Sequence, residues 1–490
     1  MKNIYKILFL FIVTMTLNVS CDDYIDVKAE VENSEDFFNT EDDYQNALIG
    51  AYDLLSGLGW YSMISEIASD NTLCGGESAT DVLGLQEIDD MIHNPVNQQL
   101  RDVWSWNYAG INRANYILEF KDKTDFSGKD QVIAQTLFLR AIYYFELVKW
   151  FGDVPLAVDK RILFGEQFDI ERTPKAQVYA QIEADLIAAA SVLPYVQSES
   201  GRATKGAAQA LLGKAYLYQD KFDEAATVLE DLINNGPYDL VTDYNSIFEH
   251  PGENNIESVF EVQYSEQEGA GFGCFQCSEG NIAVGFQGIR AYVGPDFSSG
   301  FSFSVPVQEA YDAFENGDLR RDVAILDIDA WATQTGATFG TGYEHTGYFN
   351  RKYIPRVRSA AAQADRNLTN PNNYRAIRFA DVLLMAAEAF NRKSAPDDAK
   401  ALAYLNRVRE RAFGNSANNL TSTGSTLTEN IWAERRVELM GEGHRFFDLV
   451  RTGKAASEIP GFTAGKHELF PIPEIEIQLA GNTWAQNPGY

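Results

Sequence analysis

Apolar residues recurring every three and four positions mark most of this chain as helical. From Ala134 the series Leu137, Ala141, Tyr144, Phe145 and Val148 forms one stripe of an amphipathic helix. The spacing predicts that this helix stops near Phe151, where Gly152 and the step Asp153-Val154-Pro155 break the pattern. A second stripe runs Ile377, Ala380, Leu384 and Ala387, closing at Asn391; a third is Leu402, Leu405, Val408 and Ala412. Thr173 before Pro174 reads as a helix start, with the Thr hydroxyl as cap and Pro in the first turn. Val178, Ile182, Leu186 and Ala189 would carry that helix's buried face. The expected fold class is all-α.

One stretch has a repeat register. Leu212-Gly213, Tyr216, Phe222, Ala225 and Pro237 stand at the spacings of a tetratricopeptide unit, in which small residues let two helices approach and Pro closes the second. Such a unit cannot bury its faces alone, so the helices at Ala134, Thr173, Tyr374 and Ala401 are candidates to stack with it. A continuous solenoid would repeat without interruption, and this chain does not. Phe260 to Tyr348 is rich in Gly, Ser and aromatics (Phe272, Phe275, Phe286, Tyr292, Phe297, Phe301, Phe303, Trp331, Tyr343, Tyr348), few at helical spacing. It reads as irregular loops with short strands. Flat aromatic faces with Asp, Asn or Arg nearby suit sugar rings and their hydroxyls, although any single ring is more simply explained by packing.

Charge narrows the partners. The 490 residues carry 70 acidic and 40 basic side chains, a formal charge of −30, with 45% hydrophobic residues. That is a folded chain whose field repels polyanions, so nucleic acid is not an expected partner. Between Asp22 and Leu100 the only basic residue is Lys28, whereas Arg351 to Lys454 carries an excess of basic residues. Acidic and basic ends of one chain can face each other or face different partners.

Lys2 and Lys6 followed by the apolar run Ile7–Val13 make a secretory signal, because the run is too short to span a bilayer. The approach to Cys21 resembles a bacterial lipoprotein signal, with Asn18 where Leu is usual and Leu17 one place further out. Acylated Cys21 would then be the lipid attachment, and the acidic residues after it resemble a surface-export cue.

Motifs for chemistry are thin. Cys274 and Cys277 form a single C-x-x-C without the second ligand pair that structural zinc needs; in an exported chain a local disulfide or two free thiols fit, and Cys74 has no evident partner. Metal and cofactor are expected to be none. Nucleophile-elbow, zincin, P-loop and dinucleotide fingerprints are missing. The charged run Glu434, Arg435, Arg436, Glu438, Glu442, His444, Arg445 and Asp448 reads as an ion-pair network locking the last helices. Carboxylates at i and i+4 share one helix face, whereas glycosidase carboxylates flank a bond across a cleft. Asp312, Asp318 and Asp322 read as a helix end and a polar turn.

Three segments together resemble the SusD/RagB family of Bacteroidetes outer-membrane lipoproteins: Tyr374–Asn391, Glu434–Gly453, and the close, Leu469–Pro473 with Gln486–Tyr490. Trp104–Asn115, Phe138–Leu156, Arg172–Pro174 and Gly317–Asp322 agree, in the expected order. The resemblance implies an all-α scaffold of tetratricopeptide-like helix pairs with a loop-rich binding part. It also implies a non-enzymatic role at the exterior face of the outer membrane: capture of a glycan and delivery to a SusC-like TonB-dependent transporter. The organisation it suggests is a signal peptide at 1–20, an acidic tether at 21–45, a helical part at 46–259, a loop-rich insertion at 260–348 and a helical part at 349–490.

The family's site usually lies in loops after the first helical segment and in the irregular central part. That points to Asp70 and Asn71 as hydroxyl partners and to Tyr292, Phe297, Trp331 and Tyr343 as stacking faces. Arg290, Arg351 and Lys352, close in sequence to these aromatics, keep anionic glycans such as ulvan or alginate open beside neutral ones such as laminarin. An exported α-helical polysaccharide-degrading enzyme and a peptide-capturing relative are the alternatives.

Overall fold

The computed structural model describes residues 37–163, 170–358 and 364–490. The signal segment, Cys21 and the tether up to residue 36 lie outside the described residues. The first described helix, α1 (Glu41–Asp53), opens on a reciprocal capping box between Thr40 and Asp43, so residues 41–45 are helix rather than tether.

The other main helices are α2 (Gly57–Ile67), α3 (Gln98–Glu119), α4 (Lys129–Phe151), α5 (Lys175–Val192), α6 (Lys205–Leu217), α7 (Phe222–Asn235), α8 (Phe379–Arg392), α9 (Asp398–Phe413), α10 (Gly424–Glu438) and α11 (Arg445–Arg451). Among the described residues eight short strands pair antiparallel in four two-stranded sheets: β1 (Thr72–Gly75) with β5 (Phe303–Pro306), β2 (Val154–Pro155) with β3 (Arg172–Thr173), β4 (Ser258–Val262) with β8 (Tyr374–Arg378), and β6 (Ile325–Asp327) with β7 (Tyr348–Asn350). The all-α expectation holds.

The helix array is continuous in space although broken in sequence. α3 packs on α4, α4 on α5, α5 on α6, α6 on α7, and α7 directly on α8, which also carries α9 and α10. The chain between α7 and α8 is looped out of the stack. Across that join Ser394 donates to the carboxylate of Asp223, Lys400 pairs with Glu230 at 2.6 Å, and the Arg392 guanidinium lies 4.2 Å from the Phe222 ring centre. The α6–α7 pair shows why the repeat register was legible: a side chain at Gly213 would overlap Leu229, so close approach requires glycine there. Two boundaries differ from the periodic reading. Ile377 belongs to β8, and α8 starts at Phe379. Thr173 lies in β3 and caps nothing; the Lys175 amide at the start of α5 donates instead to Asp153 Oδ1 at 2.7 Å. A carboxylate from the turn after α4 has taken the cap's place.

The basic C-terminal third is not a basic surface. Arg378, at the end of β8, bonds Glu257 at 2.6 Å, Glu438 at 2.8 Å and Glu442 at 2.6 and 2.8 Å. Arg411 joins Glu257 to Glu438, Arg320 joins Asp318 to Glu434 and Glu438, and Lys352 reaches Glu442 at 2.7 Å. All these side chains are buried. Farther along, Arg435 joins Asp381 to Asp448, and Arg451 joins Asp448 to Glu388. The excess of cations therefore meets carboxylates from elsewhere in the chain. Burial would raise Glu438, but Arg411, Arg378 and Arg320 outweigh it and hold the carboxyl far below its ordinary value. Burial pulls Lys352 down to about 8, against the attraction of Glu442.

The remaining motif pieces meet at one joint. Asn487 Nδ2 donates to the carbonyls of Phe151 and Phe470, Arg172 reaches the Asn487 side chain, and the Phe470 amide donates to the Trp150 carbonyl. Segments far apart in sequence thus seal the C-terminal end of α4.

Candidate functional site

Three loops converge because β1, which follows α2, pairs with β5 across the insertion: Leu73 faces Val305 and Gly75 faces Phe303. The Gly76 amide donates to the Ser302 carbonyl at 2.9 Å and the Gly76 carbonyl accepts from the Tyr343 amide at 2.8 Å. The Gly340 amide donates to the Arg290 carbonyl at 2.8 Å, and Val293 and Thr338 exchange two bonds at 2.9 Å. Loops 76–81, 289–302 and 336–345 form one surface, so the two regions expected to make the site are neighbours.

The six expected contact residues occupy different depths. Tyr343 is half-buried, and the neighbouring Glu344 carboxylate pushes the pKa of its hydroxyl up. Trp331 is half-buried and donates Nε1 to the Tyr292 hydroxyl at 2.9 Å, while that hydroxyl donates to the Pro295 carbonyl at 2.7 Å. Tyr292 and Phe297 are buried in a small second core with Ile289, Val305, Leu326, Phe349 and Ile354. Asp70 is held by Arg445 at 2.7 and 2.8 Å and by Arg436 at 3.2 Å. Asn71 is fully buried; its amide donates to Glu66 and its oxygen accepts from Arg436. In this arrangement Asp70 and Asn71 brace the loops from below, and Tyr292 and Phe297 support Trp331 from behind.

Of the three basic residues near the aromatics, Lys352 is wholly buried in the ion-pair network and cannot meet a ligand. Arg351 donates to the Asp322 carbonyl. Arg290 alone belongs to the converging loops. Its Nη2 donates to the Phe301 carbonyl at 3.1 Å, its Nε has no partner, and Glu77 and Asp81 stand at 3.7 and 3.8 Å, beyond hydrogen-bond reach. Phe272 and Phe301, Glu77 and Asp81 were not singled out as contacts. Nothing in the local pattern separates an exposed Phe from its packed neighbours, and Glu77 and Asp81 reach Arg290 only through the β1–β5 pairing.

Beside this surface lies a cleft of about 660 Å³ lined by Asp70, Asp89, Asp90, Glu309, Glu344 and Glu458, with Arg436. Burial pushes the Asp89 carboxyl up to about 7, although the Cys74 amide donates to it at 2.7 Å; Glu344 and Asp90 add to the rise. A carboxyl raised on folding stabilises fully below its unfolded value, and that stability is lost as pH rises through the folded one. Asp89→Asn should therefore raise stability at pH 8 by about 1–2 kcal/mol and change little at pH 4, as read by thermal melts.

Among the described residues no three His, Cys, Asp or Glu side chains converge as a metal site, and no helix is long and apolar enough to cross a membrane. Cys274 and Cys277 are joined in a disulfide, and Cys74 is buried and free. Glu438 and Glu442, the pair one could imagine as acid and base, are buried and held by Arg378. The accessible arrangement offers rings, one incompletely paired guanidinium and carboxylates: a surface for binding hydroxyl-rich molecules.

Comparison with known proteins agrees. The pattern of the SusD family matches residues 327–463, and that of a family described as starch-binding and associating with the outer membrane matches residues 23–217. SusD-like protein P2 of Formosa agariphila is 29% identical, with 99% of each chain covered. A solved structure titled as a laminarin-binding SusD-like protein is 36% identical, with a TM-score of 0.84 over 92% of this chain and all of that one. Surface glycan-binding protein A from Bacteroides thetaiotaomicron, solved with laminarihexaose, is 28% identical with a TM-score of 0.81, covering 91% of this chain and 99% of that one. Likeness of this extent in sequence and fold places the chain in the SusD family.

Proposed function

We propose that this protein captures an uncharged glycan at the outer cell surface, anchored through acylated Cys21, and hands it without cleavage to a SusC-like outer-membrane transporter. The observation that carries the reading is the surface made by loops 76–81, 289–302 and 336–345 on a scaffold like those of laminarin and laminarihexaose binders. Tyr343 and Trp331 are its contact rings, with Tyr292 and Phe297 behind them, and Asp70 and Asn71 hold the loops that present them. A neutral glycan fits better than a uronic or sulfated one. Lys352 is buried, and Arg290 faces Glu77 and Asp81, so the local field is as acidic as the whole chain's.

Affinity electrophoresis in gels containing laminarin tests this. The mature protein should be retarded, and the double variant Trp331→Ala/Tyr343→Ala should bind about tenfold or more weakly, as expected when two stacking faces are lost. No retardation by laminarin or other neutral β-glucans would overturn the reading. New reducing ends in a laminarin incubation would overturn the non-enzymatic part.

A further inference from the structure

Two residues before the Cys274–Cys277 disulfide, an exposed aromatic ring stands beside the surface just described. Phe272 is 61% exposed, in a segment where a side chain added at Gly271 or Gly273 would meet nothing within 4 Å. Its ring centre lies 6.0 Å from Phe275 and 5.9 Å from Phe301, both half-buried. Beneath these, Phe286 sits 5.7 Å from Phe275 and 5.5 Å from Phe301, and 4.9 Å from Trp60 of α2. An exposed ring is thus propped on a pile of rings rooted in the core.

The loop is tied at both ends. The Ala270 amide donates to Thr369, and buried Ser278 bonds Gly280 through its hydroxyl. Between them the disulfide closes residues 274–277, which carry Phe275, the ring beside Phe272, and both cysteines are exposed. The shelf ends at a polar edge: the Phe301 carbonyl accepts from Arg290 Nη2, and Glu77 and Asp81 stand 3.7 and 3.8 Å from the guanidinium, just out of bonding reach.

We propose that Phe272 and Phe301 form a stacking subsite for an uncharged pyranose unit, whose hydroxyls are taken up by Arg290 and Asp81, and that the Cys274–Cys277 disulfide holds this shelf in register. The occupant is a sugar because a flat apolar face bounded by mixed donors and acceptors matches the two sides of a pyranose ring. It is uncharged because the guanidinium is already offset by two carboxylates. The proposal rests on the glycan-capture reading and adds a subsite, and a redox-sensitive prop, to it.

Isothermal titration of the mature protein with laminarihexaose tests it. Phe272→Ala should weaken binding five- to thirtyfold with an unchanged melting temperature, since the ring is exposed; Phe272→Trp should bind as well as the native protein or better. Opening the disulfide, by reductant or as Cys274→Ser/Cys277→Ser, should weaken binding several-fold. Native affinity in Phe272→Ala, with the unmodified protein still binding, would overturn the shelf alone. Absence of binding by the unmodified protein would overturn the reading beneath it. Native affinity in the disulfide-free form, with Phe272→Ala impaired, would overturn the prop.

Discussion

Replacing Arg378 by Met is expected to destabilise the protein by about 3–5 kcal/mol, the usual cost of removing one partner from a buried ion pair. The guanidinium is 1% exposed and all three of its nitrogens are engaged: Nε with Glu442, Nη1 with Glu257 and Glu438, Nη2 with Glu442 and the Glu438 carbonyl. Met fills the volume but leaves those three buried carboxylates sharing Arg411, Arg320 and Lys352. Arg378→Lys should fall between, because an ammonium keeps the charge and loses the fork. The exposed pair Arg113–Asp53 is the control: Arg113→Met should cost less than about 1 kcal/mol, since solvent screens that contact. Guanidinium-chloride unfolding measures all three. A loss under about 1 kcal/mol in Arg378→Met would mean that the network is not what joins β4 and β8 to the segment after α10.

How far each feature was legible follows from how local its cause is. The stripes of α5 and α9 were readable because burial there follows a 3.6-residue period, whereas α4 and α8 are buried nearly all round, so their stripes mark a helix and not a face. The Thr173 cap was misread because Asp153, which replaces it, arrives only through the β2–β3 pairing. That the helix near Tyr374 stacks with the repeat unit was an expectation that agrees with the α7–α8 packing; no local pattern shows which helix is its neighbour. The charged C-terminal segment was legible as a network, since carboxylates and guanidiniums so dense on short helices must pair when buried. Its partners Glu257, Asp318 and Lys352 were not. The neighbourhood of the two loop regions was legible, and the depth of each ring within it was not. Tyr292 and Phe297 share the composition of exposed rings yet lie in a small core, whereas Phe272, just before the disulfide, is exposed.

Stability should fall steeply below about pH 4.5. Glu438, Glu442, Glu388, Asp381 and Asp448 are each penalised by burial, and for each the surrounding cations more than reverse the penalty, so all five lie below their ordinary values of 4.5 and 3.8. The sign follows directly. Below about 4.5 the unfolded chain takes up protons that the folded chain refuses, so stability present above that value is lost as pH falls. Asp89 runs the other way, because burial lifts it to about 7 and its protonation between pH 7 and 5 favours the folded state. Burial also lowers His93 and His444 to about 3, so below about pH 6.5 the unfolded chain takes up protons that these rings refuse, and they oppose Asp89 between pH 5 and 6.5. In Asp89→Asn stability at pH 8 should rise relative to that at pH 5 while the acid limb is unchanged, and in Arg378→Met the acid limb should become shallower because Glu438 and Glu442 lose the cation that depresses them. Melting temperatures from pH 3 to 8 for the three proteins decide it: an acid limb of equal steepness in Arg378→Met would show that carboxylates outside the network govern acid unfolding.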